Sequence, residues 1–327
     1  VFSYATVKGY KSEGLLSCVK HFAAYGLSEA GKDYNTVDLS RINLFSYFLS
    51  GYEGAINAGA DLVMTAFNTF EYVPATINKY LLKDVLRGKL KFKGVIISDY
   101  DSLLQTINHR TTLNDCDAAI KGITAGLDIE MASSSYLRCL SEETKKNPEL
   151  LKLIDEAVLR VLKLKEKAGL FKDPYKKKDL SLDTSKALKV SYDLASESIV
   201  LLKNENLPLN KKTKVSLLGK YVSEKDVLGP WSWHGDPNNT DELSKYINAY
   251  YKSDFEIFEH YDIEKIKKTE HIILAIGETR HDSGEAHSKA DINISLHYET
   301  LIKKLSKLNI PITLVLYTGR PLVITNI

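Results

Sequence analysis

Several absences narrow what this 327-residue chain does before any motif is considered. It has only three cysteines, Cys18, Cys116 and Cys139. They are odd in number and at no metal or redox spacing, which argues against a disulfide framework and for buried or half-buried thiols. Unpaired thiols lean toward a cytoplasmic location. No apolar run reaches membrane length, since Val95 to Ile97 and Ile272 to Ile276 are strand-sized against the roughly 20 residues a spanning helix needs. No charge of one sign dominates: 44 basic residues against 42 acidic leave +2, so no global field recruits nucleic acid or anionic lipid. The phosphate-loop and dinucleotide glycine patterns are missing, because Gly277-Glu278 lacks the further glycines such a loop requires. No nucleophile elbow occurs, and His281 and His287, flanking Glu285 near Asp282, lack the helical spacing of a metal site. Neither a metal nor an organic cofactor is therefore expected. The opening Val1-Phe2-Ser3 has no initiator methionine and no basic-then-apolar leader, so it carries no readable targeting signal.

What is present, 44% hydrophobic and 26% charged residues, suits a soluble globular protein with two cores. Residues 15–25 (LLSCVKHFAAY) read as a buried strand interrupted by Lys20 and His21. Helix 39–58, strand 61–67 ending at Asn68, helix 77–87 and strand 95–99 follow. Helix 115–125 stops at Gly126, and strand 127–131 comes next. A last helix takes Asn147 as N-cap and Pro148 at its first position, with Leu151, Ile154, Val158, Val161 and Leu162 as its apolar residues. Strand and helix alternate, which predicts parallel α/β architecture, but about four strands fall short of the eight of a closed barrel.

The segment GLFKDPYKKK (169–178) is the clearest boundary, with Lys176, Lys177 and Lys178 as a solvated charge run. Beyond it, helix 185–196 and strands 198–203, 215–218, 255–258, 272–276 and 312–316 predict a second α/β domain. The division expected is 1–172, a linker at 173–190, and 191–327. Two loops stand out: 229–235, which holds Trp231 and Trp233, and the long polar excursion 279–291.

The strand Val95-Ile96-Ile97 delivers Ser98, Asp99 and Tyr100 at its carboxyl end, where α/β folds place their chemistry. The plain alternative is that Asp99 caps the helix beginning near Ser102. Lys20 and His21 either grip hydroxyls and balance a carboxylate or lie at a solvated strand end. His109, His260 and His297 have no ligand-spaced partner and read as surface or packing residues. The remaining chemistry is carboxylate chemistry: Asp99 in the first half, and Glu278 or Glu285 in the second. Two carboxyl groups from different domains meeting over a cleft, with tryptophans to stack on a flat ring, suit glycoside hydrolysis.

The segments VKHFAAYG, EAGKDYN, AGADLVMTAFN, FKGVIISDYDS, AGLDIEM, SESIVLLKNENLPL, GETRHDSGEAHSKADI and TGRPL, in that order and spacing, resemble glycoside hydrolase family 3 of the β-glucosidase type. The resemblance implies an incomplete (β/α) barrel-like domain followed by an α/β sandwich domain with a mostly parallel sheet. It implies Asp99 as nucleophile and Glu285 as acid/base, with Glu278 the weaker candidate. Lys20, His21, Lys32, Met64, Phe67 and Tyr100 become the sugar-binding set. Lys32 stands where the family usually has arginine, and a point charge does not reproduce a bidentate fork. The family's first barrel strands are not in this sequence. KHFAAYG also differs from the KHFPGHG of the N-acetylglucosaminidase subgroup. The implied function is a retaining exo-acting β-glycosidase on terminal β-D-glucosyl residues, with a small carbohydrate as partner and no nucleic acid or membrane. The alternatives are a β-xylosidase or arabinosidase on the same scaffold, or a non-catalytic carbohydrate-binding remnant. Self-association into a homo-oligomer is left open.

Overall fold

A computed structural model describes residues 1–175, 183–232, 234–251, 256–257 and 262–327. The expectations for Lys176 to Lys178, Trp233, Phe255, Phe258 and His260 lie outside the described residues. The contact pattern divides the chain into two units, Val1–Lys178 and Asp179–Ile327.

In the first unit, helix α1 (Phe2–Ser12) precedes β1 (Cys18–Phe22) and the short β2 (Thr36–Val37). A helical run follows: α2 (Arg41–Asn43), a π turn (Leu44–Phe48) and α3 (Ser50–Asn57). Then come β3 (Leu62–Thr65), the hairpin β4 (Thr69–Phe70) and β5 (Val73–Pro74), a π-helix (Tyr80–Lys89) and β6 (Val95–Tyr100). Helices α4 (Ser102–Asn108) and α5 (Asp115–Ala125), strand β7 (Ile129–Met131), and helices α6 (Ser135–Lys146) and α7 (Glu149–Lys167) complete it. The strands β1-β3-β6-β7 are all parallel and pair in chain order. A sheet that always steps in one direction keeps its crossover helices on one face, which is the winding of a barrel.

On that face Phe22, Val63, Ile96 and Leu127 pack with Leu44, Leu81, Leu82, Val85, Leu86 and Leu103. The π-helix Tyr80–Lys89 forms because its leucines and valine recur on one side and Asn78 Oδ1 accepts from Leu81 N at 3.1 Å. Asn114 caps α5 through Asp117 N, and Gly126, at φ 100°, ends it. The opposite face of the sheet, with Leu62, Met64, Ile97 and Ile129, is only half-buried.

The second unit begins with α8 (Thr184–Ser198). Strand β8 (Val215–Leu218), α9 (Leu243–Tyr251), β9 (Glu256–Ile257), α10 (Ile263–Ile266), β10 (His271–Gly277), α11 (Leu296–Ser306) and β11 (Ile312–Tyr317) follow. Its parallel sheet has the order β11-β10-β8-β9, so the winding reverses between β8 and β10. Both faces are covered. Ile272, Leu274 and Ile276 pack with Leu301 and Leu305 of α11, while Ile273 and Ala275 pack with Tyr221, Leu243 and Ile247. This two-sided burial explains why His271–Gly277 is an unbroken buried run.

The structure corrects several sequence expectations. Cys116 and Cys139 are joined in a disulfide between α5 and α6, and Cys18 is an exposed free thiol. An odd cysteine count conceals one pair, and the pairing removes the thiol argument for a cytoplasmic location. Helices α1 and α6 were not anticipated. Residues 198–203 do not form a strand: among the described residues Ile199 to Leu202 pair with no other strand, and they are 63–80% exposed. A β-branched run indicates strand only when a neighbouring edge accepts it. On α7 the inward positions are Leu150 and Ala157, whereas Leu151, Val158 and Leu162 are exposed, and the helix starts at Glu149 rather than Pro148. Among the described residues no helix is long and apolar enough to cross a membrane.

Candidate active site

The loops that leave the carboxyl ends of β1, β3 and β6 share one rim of the first sheet. Asp99, the fifth residue of β6, is buried at 9% exposure. It does not cap α4; the residue before that helix is Asp101, in the left-handed region at φ 57° with no side-chain cap. Asp99 Oδ1 instead accepts from Tyr100 N at 2.7 Å, and Oδ2 lies 3.1 Å from Nε2 of His21. That second contact is electrostatic and off hydrogen-bond geometry, so Oδ2 is a buried carboxylate oxygen without a hydrogen bond. Ser98, pointing the other way, accepts from Met131 N at 2.8 Å and donates to Asp99 O, fixing the strand end to β7.

His21 is oriented through its backbone and its ring. Tyr52 OH donates to its carbonyl, and the Tyr25 ring meets its imidazole edge-on at 5.2 Å. The peptide bonds Lys20–His21 and Phe22–Ala23 are both cis. Phe67, buried at 7% exposure, lies 5.9 Å from the Tyr25 ring and 4.6 Å from that of Tyr34. Met64 is half-buried and in register with Ile97, which places it on the Asp99 face by strand alternation. His21, Met64, Phe67 and Asp99 are thus brought to one rim. Lys20 and Lys32 are exposed, Lys32 following the short turn Glu29–Gly31, and Tyr100 is 67% exposed.

Sequence reasoning missed three supports. Tyr25 donates to Asp33, and burial and that carboxylate push its phenol far above its ordinary range. Tyr34 packs on Phe67. His109, read as a surface or packing residue, is half-buried beside the Phe67 backbone, and burial pushes its imidazole below the ordinary range. Only Tyr25, following Phe22-Ala23-Ala24, has apolar company that hints at such a role; Tyr34 and His109 lie among polar residues.

The second unit carries the other carboxylates. The loops after β8 and β10 flank the point where its sheet reverses, which is where open α/β sheets bind ligands. Glu278, at the end of β10, accepts from Arg320 Nε at 2.9 Å and Nη2 at 2.8 Å and pairs with Lys289 at 2.9 Å. Burial alone pushes this carboxyl up, but Arg320 and Lys289 outweigh it and hold it below the ordinary range. Glu285 is exposed on the 279–291 loop. Arg280 of that loop donates to Ser232 O at 2.8 Å and lies 3.6 Å from Asp226, tying it to the loop that carries Trp231, itself 71% exposed. Among the described residues no group of His, Cys, Asp and Glu is arranged to hold a metal.

Comparison with known proteins identifies the family. Residues 1–164 match the glycosyl hydrolase family 3 N-terminal domain and residues 199–327 the family 3 C-terminal domain. A periplasmic β-glucosidase from Salmonella typhimurium is 32% identical over 94% of this chain and 46% of its own. A β-xylosidase from Formosa agariphila is 30% identical over 96% of this chain and 48% of its own. The crystal structure of a β-glucosidase from Listeria innocua in complex with isofagomine superposes with a TM-score of 0.90 at 36% identity, covering 99% of this chain and 49% of that one. The chain spans about half the length of these relatives. With both domain models matched in order over most of its residues, the chain belongs to glycosyl hydrolase family 3.

Proposed function

We propose that this chain carries the nucleophile and the acid/base of a retaining exo-acting β-glycosidase that removes terminal β-D-glucosyl residues. Asp99 attacks the anomeric carbon as the bond to the leaving oxygen breaks, and Glu285 gives that oxygen its proton. A covalent glycosyl-enzyme results. Glu285 then takes a proton from water, the water oxygen attacks the same carbon, and Asp99 leaves, so configuration is retained. The observation that carries the reading is Asp99 itself: one oxygen held by a backbone N–H, the other buried without a hydrogen bond and faced by His21. Glu278 suits the acid role poorly, because two cations hold it ionised.

Met64 and Phe67 supply the apolar wall on which a sugar ring rests, and Lys20, His21 and Lys32 supply donors to its hydroxyls. Solved relatives bound to glucose and to laminaribiose support a glucosyl substrate. A second reading, a β-xylosidase, is favoured by the Formosa relative, and comparing aryl β-glucoside with aryl β-xyloside turnover separates the two. We further assign residues 1–172 to the barrel-like domain, 173–190 to the linker and 191–327 to the sandwich domain. The test is Asp99→Ala. Turnover of an aryl β-glucoside falls by at least about 10⁴-fold, and azide partly restores it with an inverted glycosyl azide as product. Unchanged activity removes Asp99 from the mechanism, and sugar binding without turnover in the wild type leaves only a carbohydrate-binding role.

A further inference from the structure

The 279–291 loop is long and polar and has few apolar anchors, yet its two ends and its middle are fastened by ions. At its base, Arg320 bonds Glu278, the residue just before the loop, and donates from Nη2 to the carbonyl of Asp291, its last residue, at 2.9 Å. One guanidinium therefore closes both ends. Higher up, Lys289 on the descending side pairs with Asp282 on the ascending side and reaches Glu278 Oε1 at 2.9 Å. Asp282 Oδ2 also accepts from Thr279 N at 2.7 Å and Thr279 Oγ1 at 2.8 Å, which turns the ascending side tightly. Glu285 lies between positions 282 and 289, on the segment above the Lys289 tie. Its neighbours Gly284, at φ 112°, and Ala286, at φ 60°, are both left-handed. A Cβ on Gly284 would lie 3.0 Å from Pro230, so the crest rests against the neighbouring loop.

A flexible loop does not hold a proton donor within the fraction of an ångström that general-acid catalysis needs. We propose that Lys289, with Asp282, Glu278 and Arg320, is a clasp that positions Glu285 for proton transfer to the leaving group, and that none of the four takes part in the chemistry. The inference rests on the acid/base reading of Glu285. It also explains why Glu278, so near in sequence, is locked in an ion pair: it is the anchor and not the acid. The titration directions fit, since Lys289 holds Asp282 down at about 2 and is itself raised by its two carboxylate partners.

A misplaced acid has a kinetic signature that general destabilisation lacks. A poor leaving group needs its proton and a good one does not. Lys289→Met is therefore compared with wild type on phenyl β-D-glucoside and on 2,4-dinitrophenyl β-D-glucoside, reading kcat/KM so that the first chemical step is isolated. The expected result is a loss of roughly 10- to 100-fold on the phenyl substrate and under about 3-fold on the dinitrophenyl one. Lys289→Arg, which keeps the charge between the two carboxylates, stays within about 3-fold of wild type on both. Equal losses on the two substrates, or none on either, overturn the clasp while leaving the glycosidase reading intact. Retained dinitrophenyl turnover shows that the variant is folded. If wild type hydrolyses neither substrate, the glycosidase reading fails and the clasp fails with it.

Discussion

The two units place their key carboxylates by opposite means. In the first, Asp99 is the end of a buried strand, and its neighbours in the ladder, Ser98 to Met131 N and Tyr100 N to its own side chain, fix it through the backbone. In the second, Glu285 sits on a loop whose shape comes from ion pairs among Glu278, Asp282, Lys289 and Arg320. A singly wound sheet presents strand ends; a doubly wound sheet presents the loops at its reversal. On the proposed reading, the core sets the nucleophile through the first arrangement, and the loop clasp sets the group that serves first as acid and then as base through the second. A strand-borne residue is set by the core, whereas a loop-borne one depends on its local polar contacts.

The sharpest test of that contrast is the leaving-group dependence of the two deletions. Asp99→Ala lowers turnover of every aryl β-glucoside by at least about 10⁴-fold, whatever the phenol. Glu285→Ala lowers kcat/KM by about 10²- to 10⁴-fold for phenyl glucoside and far less for dinitrophenyl glucoside. Equal profiles for the two variants would break the division of roles.

The strand bearing Asp99 was legible in the sequence because a short β-branched run bounded by polar residues has few other interpretations, and β8, β10 and β11 were legible for the same reason. The Glu285 loop stood out as a polar excursion after a buried strand. Its clasp did not, because Arg320 is 42 residues from Glu278 and nothing in local composition pairs them. Helix α6 was not anticipated; its start is held by Glu130, whose oxygens accept from Ser133 Oγ and from Tyr136 N at 2.6 Å. The disulfide was hidden by parity, and residues 198–203 misled because an apolar run alone does not reveal whether an edge will accept it.

Ion networks in the two units should also differ in what they support. Asp128 is fully buried and accepts from Ile96 N at 2.9 Å, from Arg87 at 2.7 Å and from Arg160 at 2.9 Å, so it joins β6 and β7 to two helices. Asp128→Ala leaves Arg87 and Arg160, both largely buried, without their shared anion, and a loss of about 3–5 kcal/mol in urea unfolding is expected. Lys289→Met, at a partly exposed site, should cost under about 1 kcal/mol while harming activity. If the two variants cost the same stability, the distinction between a core network and a loop clasp is wrong.

A smaller effect belongs to the Cys116–Cys139 bond, which closes a span of 23 residues across α5, β7 and α6. Breaking it with the paired serine variant should lower first-unit stability by about 2–3 kcal/mol. Reductant should produce the same shift in wild type and none in the variant. A shift in the variant would place the sensitivity elsewhere.

The smallest expected change is a gain. The β4–β5 hairpin turns through Glu71 at φ 50° and Tyr72 at φ 64°, a two-residue turn of the kind that favours Asn-Gly. Both side chains pay the left-handed penalty of roughly 1–2 kcal/mol per residue. Glu71 has an offsetting contact: Arg41 grips both its oxygens at 2.7 Å and stacks 3.8 Å over the Tyr80 ring. Tyr72 is 85% exposed and contributes no buried surface in return. Tyr72→Gly should therefore stabilise the first unit by about 1 kcal/mol, less than the full penalty because glycine also loosens the unfolded chain. Glu71→Gly should gain nothing, since it removes the Arg41 clamp along with the strain. This is the first unit's counterpart of the Glu285 loop, a turn shaped by an ion pair. If Tyr72→Gly destabilises, the exposed ring is making a contact that the strain argument omits.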